Sequence, residues 1–358
     1  MQCKILERIM CTVLVAMIGA GSLFVPLAAR AAEAPLQSGD LHLITSPLPI
    51  LLTVKPGTTA TTDLRIKNGG PNTERLKIEM LKFGASGEEG QPALQDPEPG
   101  DEQFKWASFS ETVFNADPNQ WKTVKMTIKV PKTAAFGYYY AVTFSRANKE
   151  AKVKDQRTAL RGATAVLVLL EATSPNTKRS IKMVDFVSKK GLYEYLPASF
   201  KVRLQNVGNI HAAPVGSVFI SKGDKPVGTV SINTEHGNIL PNSFRIFETE
   251  WKDGFPHYVE EVENNQAVID KKGQQKKHLV WNLGDIGKVR FGKYTASVLM
   301  VYDDGKRDIP LEAAVSFWVI PWRFLLVVSL IATLMIAGLW ALIRAARSNG
   351  RGRGRRRR

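Results

Sequence analysis

Trp121 to Val130 reads WKTVKMTIKV. Val124, Met126, Ile128 and Val130 fall on one side of an extended chain, and Thr123, Lys125, Thr127 and Lys129 on the other. Period two over ten residues predicts a half-buried strand, apolar side inward and charged side to water. The stretches around it repeat the pattern. Leu64 and Ile66 alternate with Asp63, Arg65 and Lys67. A turn at Gly69-Gly70-Pro71-Asn72 follows, and Leu76, Ile78 and Met80 resume the period. Gly137 to Ser145 is rich in tyrosine and β-branched residues, and Ala163 to Ala172 is almost continuously apolar. Upstream, HLITSPLPILLTVKPG (42–57) gives two short apolar runs broken by Pro47 and Pro49. Short strands at close spacing, with Gly/Pro turns and no helical period, predict a β-sandwich over 40–173.

The pattern restarts after Ser174-Pro175-Asn176-Thr177, a turn cluster read as the domain boundary. Phe200, Val202 and Leu204 alternate with Lys201, Arg203 and Gln205. Val215 to Ser221 and Pro226 to Ile232 flank Lys222-Gly223-Asp224-Lys225, a hairpin signal. Ser243–Trp251, Leu279–Leu283, Lys293–Tyr302 and Leu311–Val319 are further predicted strands, the last two joined at Asp303-Asp304-Gly305. This predicts a second sandwich over 178–320. The halves echo each other. Phe136-Gly137-Tyr138 and Phe291-Gly292-Lys293-Tyr294 each feed an aromatic into a long strand, where a tyrosine bonds back to the preceding corner. Leu64 to Asn68 and Val202 to Asn206 each end a strand in asparagine before glycine.

Phe324 to Ile343, FLLVVSLIATLMIAGLWALI, holds no charge. At 1.5 Å per residue a helix of this length spans about 30 Å, the hydrocarbon thickness of a bilayer. Trp322 and Trp340 sit near its ends, where amphipathic rings favour the boundary. The tail 344–358, RAARSNGRGRGRRRR, carries eight arginines and no acid. Short basic flanks stay cytoplasmic, so the tail is read inside and everything before Phe324 outside, as in a type I single-pass protein. The tail is expected to grip anionic lipid, each basic residue near the surface adding about 1 kcal/mol. It lacks an aromatic to stack bases, so nucleic acid is not the expected partner.

At the start, Lys4 and Arg8 precede a mostly apolar run from Ile9 to Leu27, and Ala29-Arg30-Ala31 offers a small-residue cleavage site. Residues 1–31 read as a secretory signal cut after Ala31; the rival is an uncleaved anchor that holds the chain at both ends. Cys3 and Cys11 both fall in this segment, so the mature chain has no disulfide and no thiolate chemistry. Of the net charge of +16, the tail, Arg323 and a net two from the signal account for eleven, leaving the exterior at +5. An exterior that mildly basic does not suggest a polyanion-binding surface.

Chemistry-bearing patterns are sparse. His42, His211, His236, His257 and His278 are scattered without metal-ligand spacing. Glu88, Glu89, Asp96, Glu98, Asp101 and Glu102 cluster in 84–103, GASGEEGQPALQDPEPGDEQ. That segment is read as a solvated loop, with Ca²⁺ binding left open, since Pro97 and Pro99 interrupt the acids and no EF-hand spacing appears. The charged stretch Asn148–Gly162 reads as a hairpin connection or brief helix. No G-x-S-x-G, phosphate loop or framed carboxylate pair occurs, so no catalytic, cofactor-binding or metal residue is assigned and an enzyme is not expected.

Several short motifs carry a resemblance. Pro131, Ala134, Gly137 and Tyr138 form an approximate P-x-x-A-x-x-G-x-Y after the first alternating strands, and Asn206, Gly208, Asn209, His211, Pro214 and Gly216 form N-x-G-N-x-H-x-x-P-x-G in the second half. With the signal, membrane helix and basic tail, this order resembles the Gram-positive cell-surface proteins that interact with WxL proteins. The first half also resembles the immunoglobulin-like half of pilus chaperones. The resemblance implies two tandem immunoglobulin-like β-sandwiches followed by one transmembrane α-helix. It further implies binding to a cell-wall component or an exported protein, with an assembly chaperone lending a strand edge as the alternative. The Arg/Lys pair with which chaperones grip a subunit carboxylate is not placed on any residue here.

Overall fold

The computed structural model describes residues 41–147, 163–263, 266–270 and 273–351. The signal segment, the 148–162 connection and the last arginines of the tail lie outside the described residues. The fold is all-β, two immunoglobulin-like sandwiches in tandem, with one long apolar helix at the carboxyl end.

The first sandwich runs β1 (Leu43–Ser46), β2 (Ile50–Val54), β3 (Thr59–Asn68), β4 (Glu74–Ser86), β5 (Gln91–Gln95), β6 (Ala107–Phe109), β7 (Val113–Ala116), β8 (Trp121–Lys129), β9 (Phe136–Arg146) and β10 (Ala163–Ala172). One sheet has the order β1-β3-β8-β6; the other is β2-β10-β9-β4-β5, with β7 also on β4. The second runs β11 (Ile181–Ser188), β12 (Leu192–Tyr193), β13 (Ala198–Asn206), β14 (Val215–Lys222), β15 (Lys225–Ile232), β16 (Phe244–Trp251), the short strands β17 (His257–Glu260), β18 (Val262–Glu263), β19 (Gln266–Ala267) and β20 (Lys277–Val280), then β21 (Gly292–Asp303) and β22 (Asp308–Val319). Its sheets are β11-β13-β16 and β12-β22-β21-β14-β15.

The two share one wiring. In each, the opening strand first pairs antiparallel in one sheet (β1 on β3, β11 on β13). It then crosses over to pair parallel with the last strand of the other sheet (β2 on β10, β12 on β22). The crossing ties the two layers together at one edge. The alternation of the sequence becomes the core: Leu64, Ile66, Val124, Met126 and Ile128 are fully buried in the first sandwich, and Phe200, Val202 and Leu204 in the second. Trp251, Tyr294 and Phe317 close the second core, ring centroids 5.4 to 6.2 Å apart.

Matched hydrogen bonds fix the same corners twice. The Ala135 N–H donates to the Tyr138 hydroxyl and the Phe291 N–H to the Tyr294 hydroxyl, both at 3.1 Å. Asn68 donates to the carbonyls of Asn72 and Ala116 and accepts from the Gly70 N–H; Asn206 donates to Ile210 and Ile239 and accepts from the Gly208 N–H. Both asparagines are fully buried, so every polar group of the amide that is satisfied is satisfied by backbone at a strand end.

Helix α1 (Trp322–Arg351) starts directly after β22, and the stretch Trp322–Arg344 is long and apolar enough to cross a membrane, with no part of it buried in the protein. Within Trp322–Arg344 the hydroxyls bond back to the preceding turn, Ser329 to the Leu326 carbonyl and Thr333 to that of Ser329, which removes them from competition with lipid.

Two sequence readings change. Residues 84–103 are not one loop: β4 extends to Ser86 and turns back as β5, and a 3₁₀ turn follows at Glu102–Trp106. The strand expected at Leu279–Leu283 ends at Val280, because the Asn282 side chain accepts from the Gly284 N–H and starts a 3₁₀ turn, Leu283–Lys288.

Candidate functional site

Residues on β4, β5, β9 and β10 that face away from the first core form a second apolar layer. Phe83, Leu94, Ala141 and Leu169 are buried there, with Leu81, Tyr139, Ala165 and Leu167 packed beside them and Leu240 reaching over from the second sandwich. This layer is the floor of a cleft of about 320 Å³ between the sandwiches. Leu48 and Pro49 line it from the β1–β2 connection, and the loop from Glu235 to Ser243 together with Phe244 and Arg245 of β16 lines it from the second sandwich. The floor exists because β9 and β10 are apolar on both faces, which is why Ala163 to Ala172 lacks a polar alternation.

The strand beside the cleft is half open. β2 pairs with β10 only from Val168 to Ala172, whereas β9 pairs with all of it. Among the described residues, Ala163 to Leu167 therefore have sheet neighbours on one side only. An unpaired strand edge is a template for another chain.

Polar contacts hold the two walls together. The tip of the β4–β5 hairpin docks on the second sandwich: the Glu88 carboxylate accepts both Nε and Nη2 of Arg203, at 2.8 and 2.5 Å, and its carbonyl accepts the Ile246 N–H at 2.7 Å. The paired guanidinium holds Glu88 below the usual carboxylate range. Arg245 lies in the wall, half-buried, donating to the Asn238 carbonyl at 2.7 Å with its guanidinium 5.1 Å from the centre of the Phe247 ring. Burial lowers its pKa, and Glu235 works against that shift. Gly90 has a φ of +77° and presses on this guanidinium, so the turn and the close approach both require glycine.

The linker is pinned as well. Asn209 donates to the Asn176 carbonyl and accepts from the Lys178 N–H, at 2.8 and 2.7 Å. Arg179 pairs with Glu171, which is only 4% exposed at the end of β10. The His211 ring packs edge-on against Tyr139, centroids 5.8 Å apart. Burial lowers the His211 pKa to about 4, helped by the charge of Arg179. The N-x-G-N-x-H motif thus serves the junction: Asn206 closes a strand end, Asn209 holds the linker and His211 abuts the first sandwich.

The other singled-out residues do not converge. His211 and His236 lie on the second sandwich's side of the junction and cleft, while His42, His257 and His278 lie elsewhere. His257 bonds the Gly254 carbonyl at 3.0 Å. Asp101 receives the Glu98 N–H, Gln103 and Lys82, and these lower its pKa. Among the described residues no group of three His, Cys, Asp or Glu is placed to hold a metal. Sequence reasoning missed Glu88 and Arg203 as a pair, because 115 residues separate them.

No protein-family model matches the chain, and no curated protein does by sequence. Several of the solved structures it is similar to are fimbrial chaperones. The class 5 fimbriae chaperone CfaA is 16% identical, over 67% of this chain and all of that one, with a TM-score of 0.33. The CupB2 chaperone of Pseudomonas aeruginosa is 11% identical, over 76% of this chain and all of that one, at 0.32. The YadV chaperone is 11% identical, over 76% and 99% of the two chains, at 0.33. Identity and overlay this low say nothing of what the cleft holds.

Proposed function

We propose that this chain is a non-catalytic binding module, tethered to a membrane by α1 with its sandwiches outside the cytoplasm. Its cleft receives an extended, apolar stretch of an exported protein. The single observation that carries this reading is the edge of β10 at Ala163–Leu167, which has no second partner strand among the described residues, beside an apolar floor. A guest strand added there gains main-chain hydrogen bonds from the edge and side-chain burial from Leu81, Phe83 and Leu167. Arg245 supplies a half-buried donor in the wall for a guest carbonyl or carboxylate. The pinned linker and the Glu88–Arg203 clamp hold the cleft in shape before the guest arrives, which reduces the ordering cost of binding.

The motif order shared with the WxL-interacting surface proteins supports an exported protein or a cell-wall component as the partner class, and orientation with the arginine tail inside. The domain limits 40–173 and 178–320 and the cleaved signal 1–31 belong to the same reading. Binding of tiled peptides from the cell's exported proteins tests it. Peptides of alternating apolar character should bind the wild-type exterior and lose binding to Leu167→Arg, which places charge on a partly exposed floor position. Equal binding to both forms, or to neither, overturns the cleft assignment.

A further inference from the structure

The second sandwich departs from the first in one connection. In the first, β8 reaches β9 through the six residues 130–135; in the second, β16 reaches β21 only after an arm spanning 252–291. Sheet register places this arm. Gly292, where it ends, pairs with Val319, and Val319 is followed almost at once by Trp322 and α1. The arm therefore leaves and rejoins the sandwich at the pole from which α1 emerges. The first sandwich sits at the other pole, against Asn209 and His211.

The end of the arm is held firmly to the sandwich. Arg290 bonds the Asp253 carboxylate at 2.7 Å and carbonyl at 2.9 Å and lies over the Trp251 ring, while Lys288 reaches Asp253 at 3.0 Å. On that frame stand large apolar side chains facing water: Trp281 is 54% exposed and Ile286 61%, with Val289 and Phe291 similar. Leu192 and Trp318, which pair at the same end of the sheet, are exposed too. Large exposed apolar side chains gathered at one end of a sandwich mark a contact surface. Beside it, a cleft of about 920 Å³ is lined by Lys189, Lys190 and Arg323, with Tyr195, Tyr258, Glu194, Glu250 and Asp270, and by Lys276 and Lys277, which pair with Glu261 and Glu260. Arg323 belongs to the first turn of α1 and pairs with Glu194 at 3.5 Å. Trp, Tyr and Phe over apolar residues, rimmed by long cations, is the composition that settles at a lipid headgroup layer.

We propose that the closing stretch of the arm, 281–291, lies in the headgroup layer of the leaflet that α1 enters, with Trp281, Ile286, Val289 and Phe291 at the acyl boundary and Lys189 and Lys190 facing lipid phosphates. This rests on α1 crossing the bilayer. The occupant is that bilayer, because Gly292, next to Phe291, pairs with Val319, three residues before α1 begins. The arm is thus a second attachment that seats the second sandwich on the membrane and leaves the inter-sandwich cleft at the far pole.

Single cysteines test this in the full chain with Cys3 and Cys11 replaced by serine, reconstituted in vesicles of mixed zwitterionic and anionic phospholipid. A polarity-sensitive fluorophore is placed at Ile286→Cys, at Leu334→Cys within α1, and at Lys306→Cys in the far hairpin. The expected result is blue-shifted emission at 286, lost to nitroxides near the headgroup; loss to deep nitroxides at 334; and no quenching at 306. Quenching at 334 without quenching at 286 overturns the arm's role while the helix stands, and equal quenching at 306 overturns it as well. An unquenched 334 removes the spanning helix and this inference with it.

Discussion

Replacing Asn206 by alanine is the sharpest test of how the tandem sandwiches are held. Its amide makes three bonds, to the Ile210 and Ile239 carbonyls at 2.7 and 2.8 Å and from the Gly208 N–H at 2.8 Å, in a site with no exposure. At about 1 kcal/mol net per bond, with the backbone partners left unpaired in the interior, the loss is roughly 3 kcal/mol. Trp251 is buried in the same sandwich, so in a full chain whose other six tryptophans are replaced by phenylalanine its fluorescence during urea unfolding in detergent reports that loss. Asn68→Ala removes the matching three bonds from the first sandwich and is expected to spare the transition that Trp251 reports. Asn206→Asp keeps only the acceptor and buries a charge, so it is expected to be worse than alanine. A shift under about 1 kcal/mol for Asn206→Ala would refute the claim that these bonds close the strand end.

Other expectations follow from the junction. The His211 pKa is about 4 in the folded chain, against about 6.5 when unfolded, so the folded state favours the neutral ring. Stability is then full above about pH 6.5 and declines toward pH 4 by on the order of 3 kcal/mol, and His211→Gln should flatten that slope in urea titrations at pH 7.5 and 5. Gly90→Val forces a side chain into a positive-φ position against the Arg245 guanidinium; it should widen the angle between sandwiches, seen as a larger radius of gyration and faster protease cutting at 174–177. Arg203→Leu removes the Glu88 clamp and should likewise loosen the junction, with both sandwiches still melting as in wild type.

Much of the fold was legible because strand alternation is local. The Val124–Val130 and Phe200–Leu204 patterns needed no partner to be read, and neither did the apolar run of α1. The tyrosine and asparagine corners were visible as repeated short patterns because the tyrosine bonds and the Asn-to-Gly bonds span only two or three residues, whereas the longer asparagine bonds to Ala116 and Ile239 were not visible. What depends on distant partners was not visible. The strand crossing rests on segments as short as Leu192–Tyr193, too brief to show a period. The acid-rich stretch looked like a solvated loop because Arg203, which engages Glu88, lies far along the chain. The cleft floor was hidden in the continuous apolar run of β10, which reads the same whether the second face meets a core, a neighbouring domain or a guest.

The most direct test of the account is photo-crosslinking from Leu167 in intact membranes. A photoreactive residue at 167 should capture an exported polypeptide through an apolar, extended segment, and one at Lys125, on the water-facing side of β8 in the other sheet, should not. Identical adducts from both positions, or adducts from 167 only within the chain itself, would contradict the claim that the open β10 edge and its floor receive a guest strand.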